Sequence, residues 1–537
     1  ISDRWKVFGR YSRFRTQIGE QNYSPNQSAA LTNGTAGAMN SLNIAGDTVY
    51  TLNPTTVISA RFSYGYLNDD YNAPESMVGV AGLEQFWPNN PWYRPYIKDI
   101  PVIYYPALIF PGNTAASPTF GKASYYWQHP HTINYSGRIS KNQGRHYLKG
   151  GLESRLLRSD AVRPNLMSFT FSAVPTADTF NSPNTKLVGD SWATFLLGAI
   201  SNDSQAQYIP RQNPQFNFYA GYLNDDIKLG RNLTVTLGLR WEYEIGPRDP
   251  QDRLSRYLDL TNPIPEMQSN PPKIPADVAA MRGAPYVFNG AWIFTDSENR
   301  AMFQTGKANF MPRAGAALRL NDRTALRVGF ARYLVVPEMV VDTLGSMAYP
   351  GFDALTTVVP MLQGVPQATL SNPFPSTNPL ILPVGKAYGR YTNLGGNASW
   401  AQNGLRPAVS DRTNVSLQRE LPGRIIGEVT YFLNVGRNLP YNKNLNFVNP
   451  AIGYQYKTLV AQSVPNPFYQ YSTPDKFPGQ LRNQQSVSRL SLLGTYPQYI
   501  TAQQTNTNGI LDRYHSLQIK VQRPYTRGFF FTAAYNY

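Results

Sequence analysis

Hydrophobic and polar positions alternate along much of the chain, and residues 233–244 show the pattern best. Leu233, Val235, Leu237, Leu239, Trp241 and Tyr243 fall on one face of an extended strand. Thr234, Thr236, Gly238, Arg240, Glu242 and Glu244 fall on the other. The same period returns at Ile58, Ala60, Phe62, Tyr64 and Tyr66 against Ser59, Arg61, Ser63 and Gly65. It returns again at Leu517, Ile519 and Val521 against Ser516, Gln518, Lys520 and Gln522, and at Phe529, Phe531, Ala533, Tyr535 and Tyr537. An oily face that ends in aromatic rings suits a strand with lipid on one side and water on the other.

These stretches pair through short turns rich in Asn, Pro, Gly and Asp, residues that reach the backbone angles a tight reversal needs. The turns fall at residues 53–55, 142–144, 230–232, 321–323, 422–423 and 525–527, which predicts six hairpins. With an opening strand at residues 5–11, thirteen strands are expected, each of about 9 to 11 residues. Between the hairpins the chain runs long, over residues 67–130, 158–215, 246–312, 335–411 and 436–513. A compact soluble domain rarely holds so many long connections. Strict alternation of short and long is the plan of an all-β, antiparallel transmembrane β-barrel, with short periplasmic turns and long extracellular loops. A β-propeller would show a fixed signature every 40 to 50 residues, roughly, and none is present. An extracellular sandwich would use strands of about five or six residues.

Composition agrees. Aromatic residues form 13% of the chain, with 36 Tyr and 8 Trp, while mean hydropathy is −0.39. No apolar run reaches the roughly 18 residues a membrane-spanning helix requires. The absence of Cys among 537 residues removes disulfides and thiolate metal sites. The net charge of +16 is dispersed, without the basic run of a nucleic-acid-binding tail. Ile1 is not an initiator Met, and no signal peptide is visible near it, so the chain reads as processed or truncated.

Several segments together resemble the barrel region of Oar-like TonB-dependent receptors. They are Gly189-Asp-Ser-Trp-Ala-Thr-Phe-Leu-Leu-Gly198, Tyr219-Ala-Gly-Tyr-Leu-Asn-Asp-Asp-Ile-Lys228 with the following residues 233–244, and Asn309-Phe-Met-Pro-Arg-Ala-Gly315. Val415-Ser-Leu-Gln-Arg-Glu-Leu-Pro-Gly423 and Tyr514-His-Ser-Leu-Gln-Ile-Lys-Val-Gln-Arg523 follow in the same order. The resemblance implies an energised importer of the bacterial outer membrane with about 22 strands, an N-terminal plug in its lumen, and a box that engages TonB. On that reading residues 1–537 are a partial barrel, with neither plug nor box present. The outer-membrane-like aromatic ending at Tyr537 argues for a natural C-terminus. An odd strand number, which closes poorly into an antiparallel bacterial barrel, argues for truncation, and truncation is the expectation adopted.

No cofactor and no enzymatic activity are expected, since neither a nucleophile elbow nor a phosphate-binding Gly-rich loop occurs. His129 and His131 would share one strand face without the further ligands a closed metal site needs, and they read as polar rim positions. Asp225 and Asp226, beside Lys228, are expected near the periplasmic rim, where with lumen-facing Arg240 and Glu242 they become candidate plug contacts. Ordinary charge pairing within a water-filled lumen is the plainer reading of the same residues. In the first long loop, Trp92, Tyr93 and Tyr96 are candidate stacking surfaces for a solute, and Arg94 a candidate anion contact. The alternative is that these rings pack the loop on itself. Tyr125 to Trp127 read as girdle or packing residues. Expected partners are outer-membrane lipid and lipopolysaccharide, TonB through the absent box and plug, and an unidentified extracellular solute, but no nucleic acid. An adhesion or assembly protein presenting large loops, and a passive porin-like channel, are the competing functions.

Overall fold

The alternating segments form one continuous sheet in a computed structural model of the chain. The structure describes residues 2–19, 36–72, 79–100, 103–111, 119–121, 126–162, 166–177, 189–335, 349–362, 365–526 and 528–537. Its principal strands are β1 (Trp5–Ile18), β2 (Ala36–Asn53), β3 (Thr56–Asn72), β4 (Tyr126–Gln143), β5 (His146–Val162), β6 (Gln215–Lys228) and β7 (Leu233–Arg248). They continue with β8 (Phe310–Asn321), β9 (Thr324–Val335), β10 (Ala408–Leu421), β11 (Ile425–Asn444), β12 (Thr501–Thr526) and β13 (Phe529–Asn536). Each pairs antiparallel with the next in chain order. The six expected turns join β2 to β3, β4 to β5, β6 to β7, β8 to β9, β10 to β11 and β12 to β13. Arg527, in the last of them, lies outside the described residues.

Register fixes which side chains share a face. Ile58, Ile139, Gly150, Leu223, Leu239 and Pro312 form one unbroken row across β3 to β8. Leu223 and Leu239 remain 61% and 47% exposed, which a protein surrounded by water would not tolerate in such a row. A row on the opposite face, three residues further along each strand, runs Arg61, Ser136, Glu153, Ala220 and Glu242. One face therefore meets lipid and the other a polar lumen.

The strands exceed the expected length. They run from 12 to 20 residues in most cases, and β12 reaches 26. Past the apolar band the outward face turns polar, with Asn68 and Asp70 on β3 and Arg158 and Asp160 on β5. Backbone pairing continues there without any oily alternation to announce it. The expected loops are shorter for the same reason, and strand pairing occupies both their shoulders.

Above the sheet the long connections fold into a cap with cores of its own. One core gathers Leu83, Trp87, Tyr93, Tyr96 and Phe110 of the first loop, Phe169, Phe171 and Ile200 of the second, and Val358 and Phe374 of the fourth. Another gathers Met267, Val278 and Trp292 of the third loop, Leu394 and Trp400 of the fourth, and Phe468, Phe477 and Tyr499 of the fifth. A five-stranded sheet built from the first, second and fourth loops binds the first of these cores. The fourth loop also inserts Asn397–Ala401 as a short parallel strand beside β12. The fourth and fifth loops approach backbone to backbone at Gly395 and Gly479, where a Cβ on Gly479 would stand 2.0 Å from the Gly395 carbonyl carbon.

Candidate functional site

Side chains on consecutive strand residues point to opposite faces, and this separates the two aspartates of β6. Asp226 lies on the lumen face, where its carboxylate accepts hydrogen bonds from Lys149 Nζ at 3.0 Å and Thr236 Oγ1 at 2.7 Å. Asp225 sits in the outward row with Leu148 and Leu237 and pairs with His146 Nδ1 at 2.6 Å. The expected pair of lumen carboxylates is thus corrected to one, and its cation is Lys149 rather than Lys228.

Arg240 and Glu242 do face the lumen. Arg240 Nε meets Glu242 Oε1 at 2.5 Å, and Arg240 Nη2 meets Glu153 Oε2 at 3.3 Å. Glu153 also holds Arg155 at 3.0 Å, while Asp47 holds Arg61 at 3.0 Å. From β2 to β7 the inner wall is therefore lined by paired charges. The pairs hold long side chains against the wall, and Arg138 on the same face of β4 meets Ser59 Oγ at 3.3 Å instead of a carboxylate.

The ring candidates of the first loop are corrected by burial. Tyr93 and Tyr96 are 0% and 2% exposed, and Trp92 lies 4.8 Å from the ring of Phe374. Trp87 Nε1 donates to the Leu370 carbonyl at 2.6 Å, and Tyr96 Oη donates to the Gln207 carbonyl at 2.7 Å. These rings are occupied by other parts of the protein, so stacking on a solute gives way to packing. Arg94 stays at the surface, paired with Glu84 at 3.1 Å. Trp127 stacks on His129 at 6.1 Å on the shoulder of β4, and Tyr125 lies outside the described residues.

The four histidines have separate partners. His129 meets Asp70, His131 meets Tyr64, His146 meets Asp225 and His515 meets Tyr431. Among the described residues no three His, Asp or Glu side chains are placed to share a metal ion.

Sequence reasoning missed the joints between loops. Glu266, on the short helix Pro265–Ser269 of the third loop, accepts from Tyr391 Oη of the fourth at 2.9 Å and from Lys476 Nζ of the fifth at 2.9 Å. Burial alone would raise its carboxyl, but the hydrogen bonds from Lys476 and Tyr391 outweigh it and hold the group below the usual carboxylate range. The second, fourth and fifth loops enclose a cavity of about 1000 Å³. Its wall carries the amides of Asn202, Asn378, Gln480, Asn483 and Gln484 over an apolar floor that includes Val358 and Ile200, and among the described residues no ionisable side chain lines it. A second depression of about 760 Å³, bordered by Phe62, Tyr135, Leu152, Tyr219 and Trp241, carries the outward apolar rows and belongs to the lipid girdle.

Solved structures similar to this chain include the outer membrane transporter YddB from Escherichia coli. It is 10% identical over 97% of this chain and 43% of that one, with a TM-score of 0.42. The ferric-catecholate import receptor Fiu from E. coli K12 is 9% identical over 99% of this chain and 55% of that one, with a TM-score of 0.40. The FrpB iron transporter from Neisseria meningitidis is 8% identical over 98% of this chain and 48% of that one, also at 0.40. The chain spans about half the length of these proteins, which are transporters and receptors rather than enzymes. No curated protein matches it. The family model for the outer membrane beta barrel domain matches residues 1–537 throughout. Together with thirteen antiparallel strands oily on one face and polar on the other, that match places the protein in the bacterial outer membrane, and the chain belongs to the outer membrane beta barrel domain family.

Proposed function

We propose that the protein is a TonB-dependent receptor of the Oar-like type, which captures a large or scarce solute outside the cell and imports it with energy delivered by TonB. The observation that carries this reading is the cap: five loops interlocked through shared cores over a polar, ion-paired inner wall. A passive channel gains nothing from so elaborate a cover. A receptor needs a preformed surface on which to hold its solute before the lumen opens. The amide-lined cavity is the first resting place in this scheme, and it suits an uncharged, hydrogen-bonding portion of the solute.

In this reading a plug domain supplied by sequence outside residues 1–537 fills the lumen and meets Asp226, Arg240 and Glu242 on the inner wall. Lipid and lipopolysaccharide surround the outward rows. The test is uptake by cells that carry the complete gene, with and without TonB. Growth on a candidate solute should require both the receptor and TonB. Solute flux through the complete protein in liposomes without TonB would instead establish a porin. Loop-dependent cell attachment that survives loss of TonB, with no uptake, would establish an adhesion protein.

A further inference from the structure

The inner wall changes character past β7. Arg313 on β8, Arg327 on β9 and Arg412 on β10 all fall on the polar face, yet among the described residues none is ion-paired. Arg313 and Arg412 are the two cross-strand neighbours of Ala331, one on each side. Their guanidinium carbons lie 5.3 Å and 4.8 Å from the centre of the Tyr333 ring. Two like charges therefore converge on one aromatic ring from strands that are not neighbours. Arg412 Nε donates to Ser410 Oγ at 3.1 Å. Arg313 Nε is closed off from solvent and has no acceptor among the described residues.

Such a pair is unfavourable by itself, because each cation repels the other and one donor is left unsatisfied. In the first half of the wall, by contrast, Arg61, Lys149, Arg155 and Arg240 each meet a carboxylate, and Arg138 meets the hydroxyl of Ser59. An oxyanion between the two forks would satisfy both, since guanidinium pairs with two oxygens of a carboxylate or a phosphate at a time. In the next row Gly315 faces Gly329, with the amide of Asn414 against Gly329, so the wall beneath the guanidinium groups carries no bulky side chain.

We propose that Arg313 and Arg412, held over the ring of Tyr333, form an oxyanion-binding station on the inner wall for a carboxylate or phosphate group of the passing solute. The station rests on the uptake reading for its role, while its binding chemistry can be measured without TonB. The test is calorimetric titration of the complete protein in detergent at low ionic strength, with citrate and inorganic pyrophosphate as separate probes. Saturable binding is expected, weakening as salt is added, and the tighter probe tells a carboxylate site from a phosphate site. Arg313→Gln with Arg412→Gln should weaken it at least tenfold, about 1.4 kcal/mol, and Arg61→Gln should leave it unchanged. Arg412→Lys keeps the charge and loses the fork, so a smaller loss is expected; this variant serves if the double variant fails to insert. Equal affinity in wild type and variants, or no saturable binding to the wild type, overturns the station. Pyrophosphate or citrate binding that persists in a protein showing no TonB-dependent uptake would leave the station standing and overturn the uptake reading.

Discussion

Removing the carboxylate of Glu266 tests whether the cap is one cooperative unit. Glu266→Ala deletes the acceptor shared by Tyr391 and Lys476 and so unties the third loop from the fourth and fifth. A hydrogen bond to an ionised acceptor contributes about 1.5 to 3 kcal/mol. The Glu266 side chain keeps 19% of its exposure, and its ion pair with the more exposed lysine is screened, so about 1 to 2 kcal/mol is the reasonable loss. That corresponds to a roughly 5- to 30-fold rise in local opening. Hydrogen exchange on the complete protein should show residues 389–396 and 471–482 exchanging faster by that factor, with the inner strands unaffected. Because Glu266 is held below its ordinary range, its contribution is complete above the unfolded value of about 4.3 and fades as pH falls through the lower folded value. Glu266→Gln should blunt that acid response without abolishing it, since Asp277 beside Arg489 is also held low. Unchanged protection in Glu266→Ala at neutral pH would refute the claim that this residue joins the loops.

Other substitutions probe other parts. Tyr93→Ala should open a void in the first cap core and cost about 3 to 5 kcal/mol of cap stability. Tyr93→Phe should be neutral or slightly stabilising, because the Tyr93 hydroxyl is buried without a partner among the described residues; limited proteolysis of the loops distinguishes the two. Burial pushes Asp353 in the fourth loop up to about 7, so its contribution is complete below the unfolded value of about 3.9 and is lost as pH rises from there through the folded value. Asp353→Asn should accordingly flatten the protease sensitivity of the cap between about pH 4 and 7. On the lipid face, Leu237→Arg should lower barrel stability by about 2 to 4 kcal/mol in denaturant titrations from bilayers.

The barrel was legible because lipid imposes a two-residue period that tight turns interrupt at fixed places. The ends of the strands were not. Beyond the bilayer both faces meet water, and Asp70, His129 and Asp160 carry no pattern even though their backbones remain paired. The split of Asp225 from Asp226 follows from strand geometry alone and could have been drawn from the sequence. The fate of Trp92 could not, because its neighbours Phe169 and Phe374 lie in two other loops, and periodicity does not say which loops meet. Glu266 was hidden for the same reason. Nothing local marks a carboxylate whose partners come from two distant connections. The convergence of Arg313 and Arg412 required the register between three strands.

The length of β12 has a bearing on where the protein works. At about 3.3 Å per residue and a tilt of about 40°, its 26 residues rise about 65 Å. The oily band of such a barrel is about 25 Å tall, so roughly 40 Å of paired strand stands clear of the acyl chains. The cap is carried on a stiff collar, lifted through the charged headgroups and into the sugar layer that coats the cell. If the proposed uptake role holds, a solute would meet the cap before it met the membrane, and its protein-walled approach would be longer than the crossing of the oily band itself.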